Sequence, residues 1–243
     1  MKKTKVALVA LASEFESGGE RSEEILKEAI KYLEKKGMKV SAYEKTVWNP
    51  ADAFAAVDYL SKNQPDLLVM LHITWVLDSL QYIFVNNLKC PIVLWGVPYP
   101  ETFSIGCVQH FGSILWEHGF NYKYVYGLPR DADLINKIIK YANIAQIYKK
   151  LSTLRIALIG PRQTWRVTGS QDMTSEEWEF SKKFGVTIIH IEMDEILERA
   201  KKQEKSVAEQ TLLNFRKQHK MGKSIADEEN LLYAAKVYLA TNE

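Results

Sequence analysis

Twice in this sequence a short apolar run passes straight into a polar, glycine-bearing loop and then a helical pattern. The first is Val6-Ala-Leu-Val-Ala-Leu-Ala12, opening onto Ser13-Glu-Phe-Glu-Ser-Gly-Gly-Glu20. The second is Ile156-Ala-Leu-Ile159, opening onto Gly160-Pro-Arg-Gln-Thr-Trp-Arg166. Each reads as the first strand of its own parallel α/β sheet. Such sheets bind ligands at the carboxyl ends of their strands, which is where these loops sit.

A length of 243 residues allows one large domain or two small ones and is ample for a buried core. The net charge of +2 supplies no general attraction to nucleic acid. Lys and Glu alternate at Lys27-Glu28 and across 201–205, as on solvated helix faces. Cys90 and Cys107 have neither CxxC spacing nor neighbouring histidines, which argues against structural zinc. They read as reduced, buried thiols of a cytoplasmic protein. The N-terminus runs directly into a strand without a cleavage region, and no apolar run is long enough to span a bilayer, so no membrane role is expected.

Strand and helix patterns alternate along residues 1–150. A helix begins near Arg21, with Ser17 and Glu20 at capping-box spacing. Its buried stripe is Ile25, Leu26, Ala29, Ile30 and Leu33, and Gly37 ends it. Residues 38–43 form a second strand. Asn49-Pro50 is an N-cap with a first-turn proline, opening a helix with Ala53, Phe54, Val57 and Leu60 inward. Strands at 66–71 and 92–95 flank an apolar helix over 76–86. A helix over 106–117, a strand near 123–126 and a long helix capped by Asp131 complete the series. The expected fold is a flavodoxin-like, doubly wound parallel α/β domain over 1–150.

The boundary falls at 149–153, and a second, incomplete α/β unit follows over 151–243. Thr174 and Glu177 form a capping box for a helix that Gly185 stops. Residues 186–191 are a strand, and helices are expected over 194–202, 206–220 and from 224 onward. The last carries a stripe of Leu231, Leu232, Ala235, Tyr238 and Leu239. Two strands with this many helices make a poor independent domain. Either the helices pack on the first domain or a partner, or more chain belongs after Glu243.

The chain has no GxGxxG after its first strand and no GxxxxGK[ST]. Gly18-Gly19 suits a turn. The histidines 72, 110, 118, 190 and 219 form no metal-ligand spacing. His72 and His190 lie near strand ends, and either a hydrogen-bonded structural role or a ligand contact fits them. The loop over 160–173 offers Arg162, Gln163, Trp165, Arg166, Thr168, Gln171 and Asp172. These side chains suit sugar hydroxyls or phosphate and an apolar sugar face; a polar loop with Trp165 packed on its own domain fits equally. A second cluster follows the third and fourth strands: His72, Thr74, Trp75, Asp78, Trp95, Pro98, Tyr99, Glu101 and Thr102. Carboxylates beside aromatics suit a carbohydrate pocket or an interface. A helix starting at Gly106-Cys-Val-Gln-His110 would offer free N–H groups to an anion or hydroxyl.

The order of these segments resembles the N-terminal and central domains of the L-fucose and L-arabinose isomerase superfamily. The segments are the first strand; Asp66-Leu-Leu-Val-Met-Leu-His-Ile-Thr-Trp75; Pro91-Ile-Val-Leu-Trp-Gly; Ser104-Ile-Gly…His110-Phe-Gly; and Ile156-Ala-Leu-Ile-Gly. The resemblance implies aldose–ketose isomerisation in the complete enzyme, with Mn²⁺ held by carboxylates and a histidine. No position here matches those ligands, so no catalytic or metal residue is expected in this chain and Mn²⁺ belongs only to the complete enzyme. The family's N-terminal domain completes a neighbouring subunit's sugar pocket. The matching positions are residues 14–20 with Arg21, then Trp75, then His110; Arg162 and Trp165 join them as substrate-binding candidates. The implied assembly is a homo-oligomer, trimer or hexamer, or a pairing with a separate catalytic chain. The expected function is therefore a truncated or split sugar isomerase. A non-catalytic sugar- or metabolite-binding module and a structural subunit are the alternatives.

Overall fold

The first strand, β1 (Lys5–Leu11), is buried at every residue after Lys5, because neighbours pair on both its edges and helices cover both its faces. It lies in a computed structural model of the chain that describes residues 3–160, 177–219 and 227–242. The chain divides into two units between Lys150 and Leu151.

In the first unit β1 pairs in parallel with β2 (Lys39–Val47) and β3 (Leu67–His72). The sheet continues in parallel through β4 (Ile92–Gly96) to β5 (Tyr122–Tyr126). Its order, β2-β1-β3-β4-β5, is the flavodoxin-like one, and the winding direction reverses between β1 and β3. Strand alternation sorts the core into two layers. Val6, Leu8 and Ala10 share one face with Val69, Leu71, Val93, Trp95 and Val125, under α1 (Ser22–Lys35) and α5 (Ala132–Leu151). Ala7, Val9 and Leu11 share the other with Leu68, Met70, Ile92 and Leu94, under α2 (Pro50–Ser61), α3 (Asp78–Leu88) and α4 (Ser104–Glu117). Each fully buried Val or Leu contributes about 1.5–3 kcal/mol over its exposed state.

Helix ends follow local chemistry, with several differences from expectation. Asn49 Oδ1 accepts from the Asp52 amide at 3.0 Å while Asp52 accepts from the Trp48 amide at 3.1 Å, closing a reciprocal cap. Asp131 Oδ1 accepts from the amides of Asp133 and Leu134, as its N-cap reading predicts. The Ser17–Glu20 capping box does not form. Gly18 instead turns the chain at φ +95° into a short 3₁₀ turn, Gly19–Arg21, and α1 starts at Ser22 without a side-chain cap. Phe54 points outward, 54% exposed, because the inward stripe of α2 runs through Ala53, Ala56, Val57 and Leu60, one helical step away. Cys107 is buried, but Cys90 is only partly so.

In the second unit β6 (Arg155–Ile159) and β7 (Thr187–Ile191) form a two-stranded parallel sheet among the described residues. Gly185, at φ +72°, follows α6 (Glu177–Phe184). Then come α7 (Met193–Lys202), α8 (Lys205–Gln218) and α9 (Glu228–Thr241). Val237 and Ala240 of α9 pack with Ile196 and Ala200 of α7 and with Ile191. The expected α9 stripe turns Leu231, Ala235 and Tyr238 toward a groove shared with Leu212 and Phe215 of α8, where Ala235 is buried and Tyr238 stays 60% exposed. Thr174 lies outside the described residues. No described helix is long and apolar enough to cross a membrane.

Candidate functional site

The reversal between β1 and β3 leaves a crevice at the carboxyl ends of the strands, the usual ligand position in such sheets. Three loops meet there. The loop after β1 is tied to the loop after β3 by the Ser13 amide, which donates to Thr74 Oγ1 at 2.8 Å. The Thr74 hydroxyl donates on to the Trp75 carbonyl at 2.9 Å. The loop after β4 joins through the Trp75 amide, which donates to the Thr102 carbonyl at 2.8 Å. Thr74 and Thr102 are fully buried, so the three loops share a fixed polar spine rather than solvent contacts.

Gly18 makes the first loop fit. Its φ of +95° is left-handed, and a Cβ there would lie 2.6 Å from Thr102 Cγ2. Gly18→Ala is therefore expected to cost about 2 kcal/mol or more from strain and overlap together. Urea denaturation followed by circular dichroism checks this; a loss below about 0.5 kcal/mol would show that the loop relaxes freely.

Arg21 and Trp75 stand on this spine. Arg21 Nη1 donates to Glu101 Oε1 at 2.7 Å, and the guanidinium lies 4.4 Å from the Tyr99 ring centroid. The hydrogen bond to Glu101 raises the guanidinium's pKa, and the same bond holds the Glu101 carboxyl below its ordinary value. The Trp75 indole stacks on His110, with centroids 5.4 Å apart and planes 28° from parallel. The Cβ position of Gly106 is 3.6 Å from the same indole. Gly106 and His110 are four residues apart on α4, so one bare helix turn and one imidazole make the seat for Trp75. His110 Nε2 meets Asp78 Oδ2, in the first turn of α3, at 3.0 Å. That contact requires the proton on Nε2, which leaves Nδ1 an acceptor in the neutral ring.

Other candidates lie elsewhere. His72 is fully buried beneath the crevice, its Nε2 2.7 Å from Gln81 Oε1, and is a structural residue. Burial lowers its pKa to about 4. α4 begins at Ser104, not Gly106, and the Cys107 amide already bonds the Phe103 carbonyl. The first turn offered to an anion is thus 104–106, and the Ser104 amide faces Thr102 Oγ1. His190 pairs with Glu177 at 2.6 Å in the second unit. Arg162 and Trp165 lie outside the described residues. Sequence reasoning missed Trp48, whose ring lies where a Gly19 Cβ would stand, 2.6 Å away. Its position at the end of β2, just before the Asn49 cap, was the available signal. Among the described residues no three His, Cys, Asp or Glu side chains form a metal-holding group.

Aromatic faces beside paired carboxylates suit a polyhydroxylated ligand: rings cover apolar C–H faces while Arg21, Glu101, Asp78 and His110 offer donors and acceptors.

No protein-family model matches the chain. Among curated proteins, a sulfoquinovose isomerase of Clostridium sp. (strain MSTE9) is 24% identical over 144 residues, 56% of this chain and 31% of that protein. Sulfoquinovose isomerases of Priestia aryabhattai and of Priestia megaterium (strain ATCC 12872 / QMB1551) are each 20% identical over 162 residues, 64% of this chain and 35% of theirs. The chain spans about a third of the length of the curated relatives it matches. The proteins it resembles at this distance are sugar isomerases.

Proposed function

We propose that this chain supplies the aromatic and polar wall of a sugar pocket in an isomerase of the L-fucose and L-arabinose type. The observation that supports this most is the Trp75 indole, seated on Gly106 and His110 at the carboxyl end of β3. It presents a flat apolar surface beside the Arg21–Glu101 and His110–Asp78 pairs. The distant likeness to sulfoquinovose isomerases agrees with a sugar ligand. On this reading Trp75 covers one face of the sugar, while Arg21 and His110 orient its hydroxyls. The aldose–ketose chemistry and its Mn²⁺ belong to the complete enzyme, and no step of it is assigned to residues described here. We place the protein in the cytoplasm, working as a homo-oligomer or beside a separate catalytic chain.

The test is calorimetric titration of the chain with a panel of aldoses and their ketoses. At least one sugar should bind, and Trp75→Ala should weaken it about 10-fold, roughly 1.4 kcal/mol. No binding by any sugar, or binding indifferent to Trp75, would remove the pocket reading. Isomerisation by this chain alone in the presence of Mn²⁺ would overturn the assignment of chemistry to the complete enzyme.

A further inference from the structure

The two edges of the first sheet are built differently. β2 carries Lys39, Glu44 and Lys45, and its pairing with β1 slips between Val9 and Leu11. Charges and a bulge are the usual protection of an exposed edge. β5 has neither a bulge nor a proline. Its register with β4 is unbroken from Ile92↔Tyr122 to Gly96↔Tyr126, and Lys123 is its one charged residue.

The backbone of β5 faces two ways. The Asn121 carbonyl accepts from the Ile92 amide, and the Gly127 amide donates to the Gly96 carbonyl. Odd-numbered residues thus turn their backbone groups to β4. Successive residues of a strand point oppositely, so Tyr122, Tyr124 and Tyr126 present their N–H and C=O groups outward. β5 is the last strand of this sheet among the described residues.

Side chains reinforce the edge. Tyr122 packs in the layer beneath α4, where Gly112 leaves room for its ring. Tyr124 and Tyr126 alternate in step with it. Trp116 at the end of α4 is 75% exposed, Tyr124 62% and Tyr126 47%. Trp116, Tyr122 and Tyr124 line one shallow groove with Val108, Gln109 and Ser113.

We propose that this edge joins two copies of the chain, their β5 strands running antiparallel about a two-fold axis at Tyr124. The sequence Tyr-Lys-Tyr-Val-Tyr is complementary to itself in that arrangement. Tyr124 meets its own copy, Tyr122 meets Tyr126 in both directions, and Lys123 lies opposite Val125. All three tyrosine pairings are hydrogen-bonded ones, each exchanging two backbone bonds, and their rings stack as cross-strand pairs on one face. Trp116, Tyr124 and Tyr126 together expose roughly 350–400 Å² per copy, about half of what a stable interface takes from each partner. The strand backbone and the exposed side of α4 extend that surface. A two-fold interface of this kind is isologous and closes on itself, so it ends at a pair instead of growing into a fibre. The inference rests on the sheet edge alone and is independent of the sugar-pocket reading.

Sedimentation equilibrium of the 243-residue chain tests it. Wild type should have an even number of copies. Tyr124→Pro removes an amide that β4 does not use, on an edge strand where proline is tolerated. It should halve the particle mass, as should Tyr124→Lys, which sets two ammonium groups opposite each other across the axis. Tyr124→Cys, which needs no loss of folding, should form a dimer that a reductant reverses. A wild-type monomer, an odd-numbered assembly, or an even one that both substitutions leave intact while Tyr124→Cys fails to cross-link would overturn the proposal.

Discussion

Replacing Trp95 by alanine should cost the first unit about 4 kcal/mol or more. Trp95 is fully buried in the layer beneath α1 and α5, among Val93, Val97, Val125 and Leu134. Large-to-small changes at such aromatic sites cost about 3–5 kcal/mol, because the transfer energy is lost and the cavity collapses only in part. The indole also donates from Nε1 to the Gly127 carbonyl at 2.8 Å, anchoring the turn after β5. Alanine leaves that carbonyl without its partner, adding about 1 kcal/mol. Small domains hold about 5–15 kcal/mol in all, so this single change removes a large share of the margin. Trp95→Phe separates the two contributions: it keeps most of the ring and loses the donor, so it should cost clearly less than alanine. Urea unfolding followed by far-ultraviolet circular dichroism reads both. A loss below about 1 kcal/mol for alanine would show that the two layers repack around the gap and that Trp95 is not a keystone.

The sheet was legible because burial on both faces leaves a direct trace in sequence. Val6 to Ala12, Leu67 to Leu71 and Ile92 to Trp95 are unbroken apolar runs, the pattern of parallel strands between two helical layers, and their shortness sets them apart from helices. Helix starts were legible where one side chain does the work, as at Asn49 and Asp131. The start of α1 was not, because Gly18 in the left-handed region redirects the chain before Ser17 and Glu20 can close a box. Phe54 was misplaced because its helix is apolar on more than one side and a stripe can be drawn one step wrong. At the crevice, Trp75, Tyr99, Glu101 and Asp78 could be named as strand-end residues. Their partnerships could not: Arg21 meets Glu101 across 80 residues and His110 meets Asp78 across 32, and such contacts exist only once the sheet order is set.

Acid should destabilise the first unit through His72, and the effect should vanish when that one ring is replaced. The imidazole ends β3 against Gln81 of α3, whose amide nitrogen also reaches Cys107 Sγ of α4, and it has no exposed surface. Its Nε2 donates to Gln81 Oε1, while the Gln81 amide is committed to the Val76 carbonyl at 3.1 Å. Nδ1 has no hydrogen-bond partner among the described residues; the Met70 and Trp95 backbones favour the proton slightly without a well-formed bond. Cys107 offers no negative charge in exchange, since burial pushes its thiol up to about 12. Desolvation thus dominates and holds the His72 pKa near 4, against 6.5 for a free ring. Between those values the unfolded chain binds a proton that the folded unit refuses, so stability rises with pH. The contribution is complete above pH 6.5 and falls away as pH drops toward 4, by about 3 kcal/mol in total. His72→Gln keeps a donor toward Gln81 and cannot titrate. Denaturant midpoints measured at intervals from pH 7.5 to about 4.5 should fall steeply for wild type and be nearly flat for the glutamine variant. Equal slopes in the two proteins would place the acid sensitivity in the carboxylates and return His72 to the ordinary range.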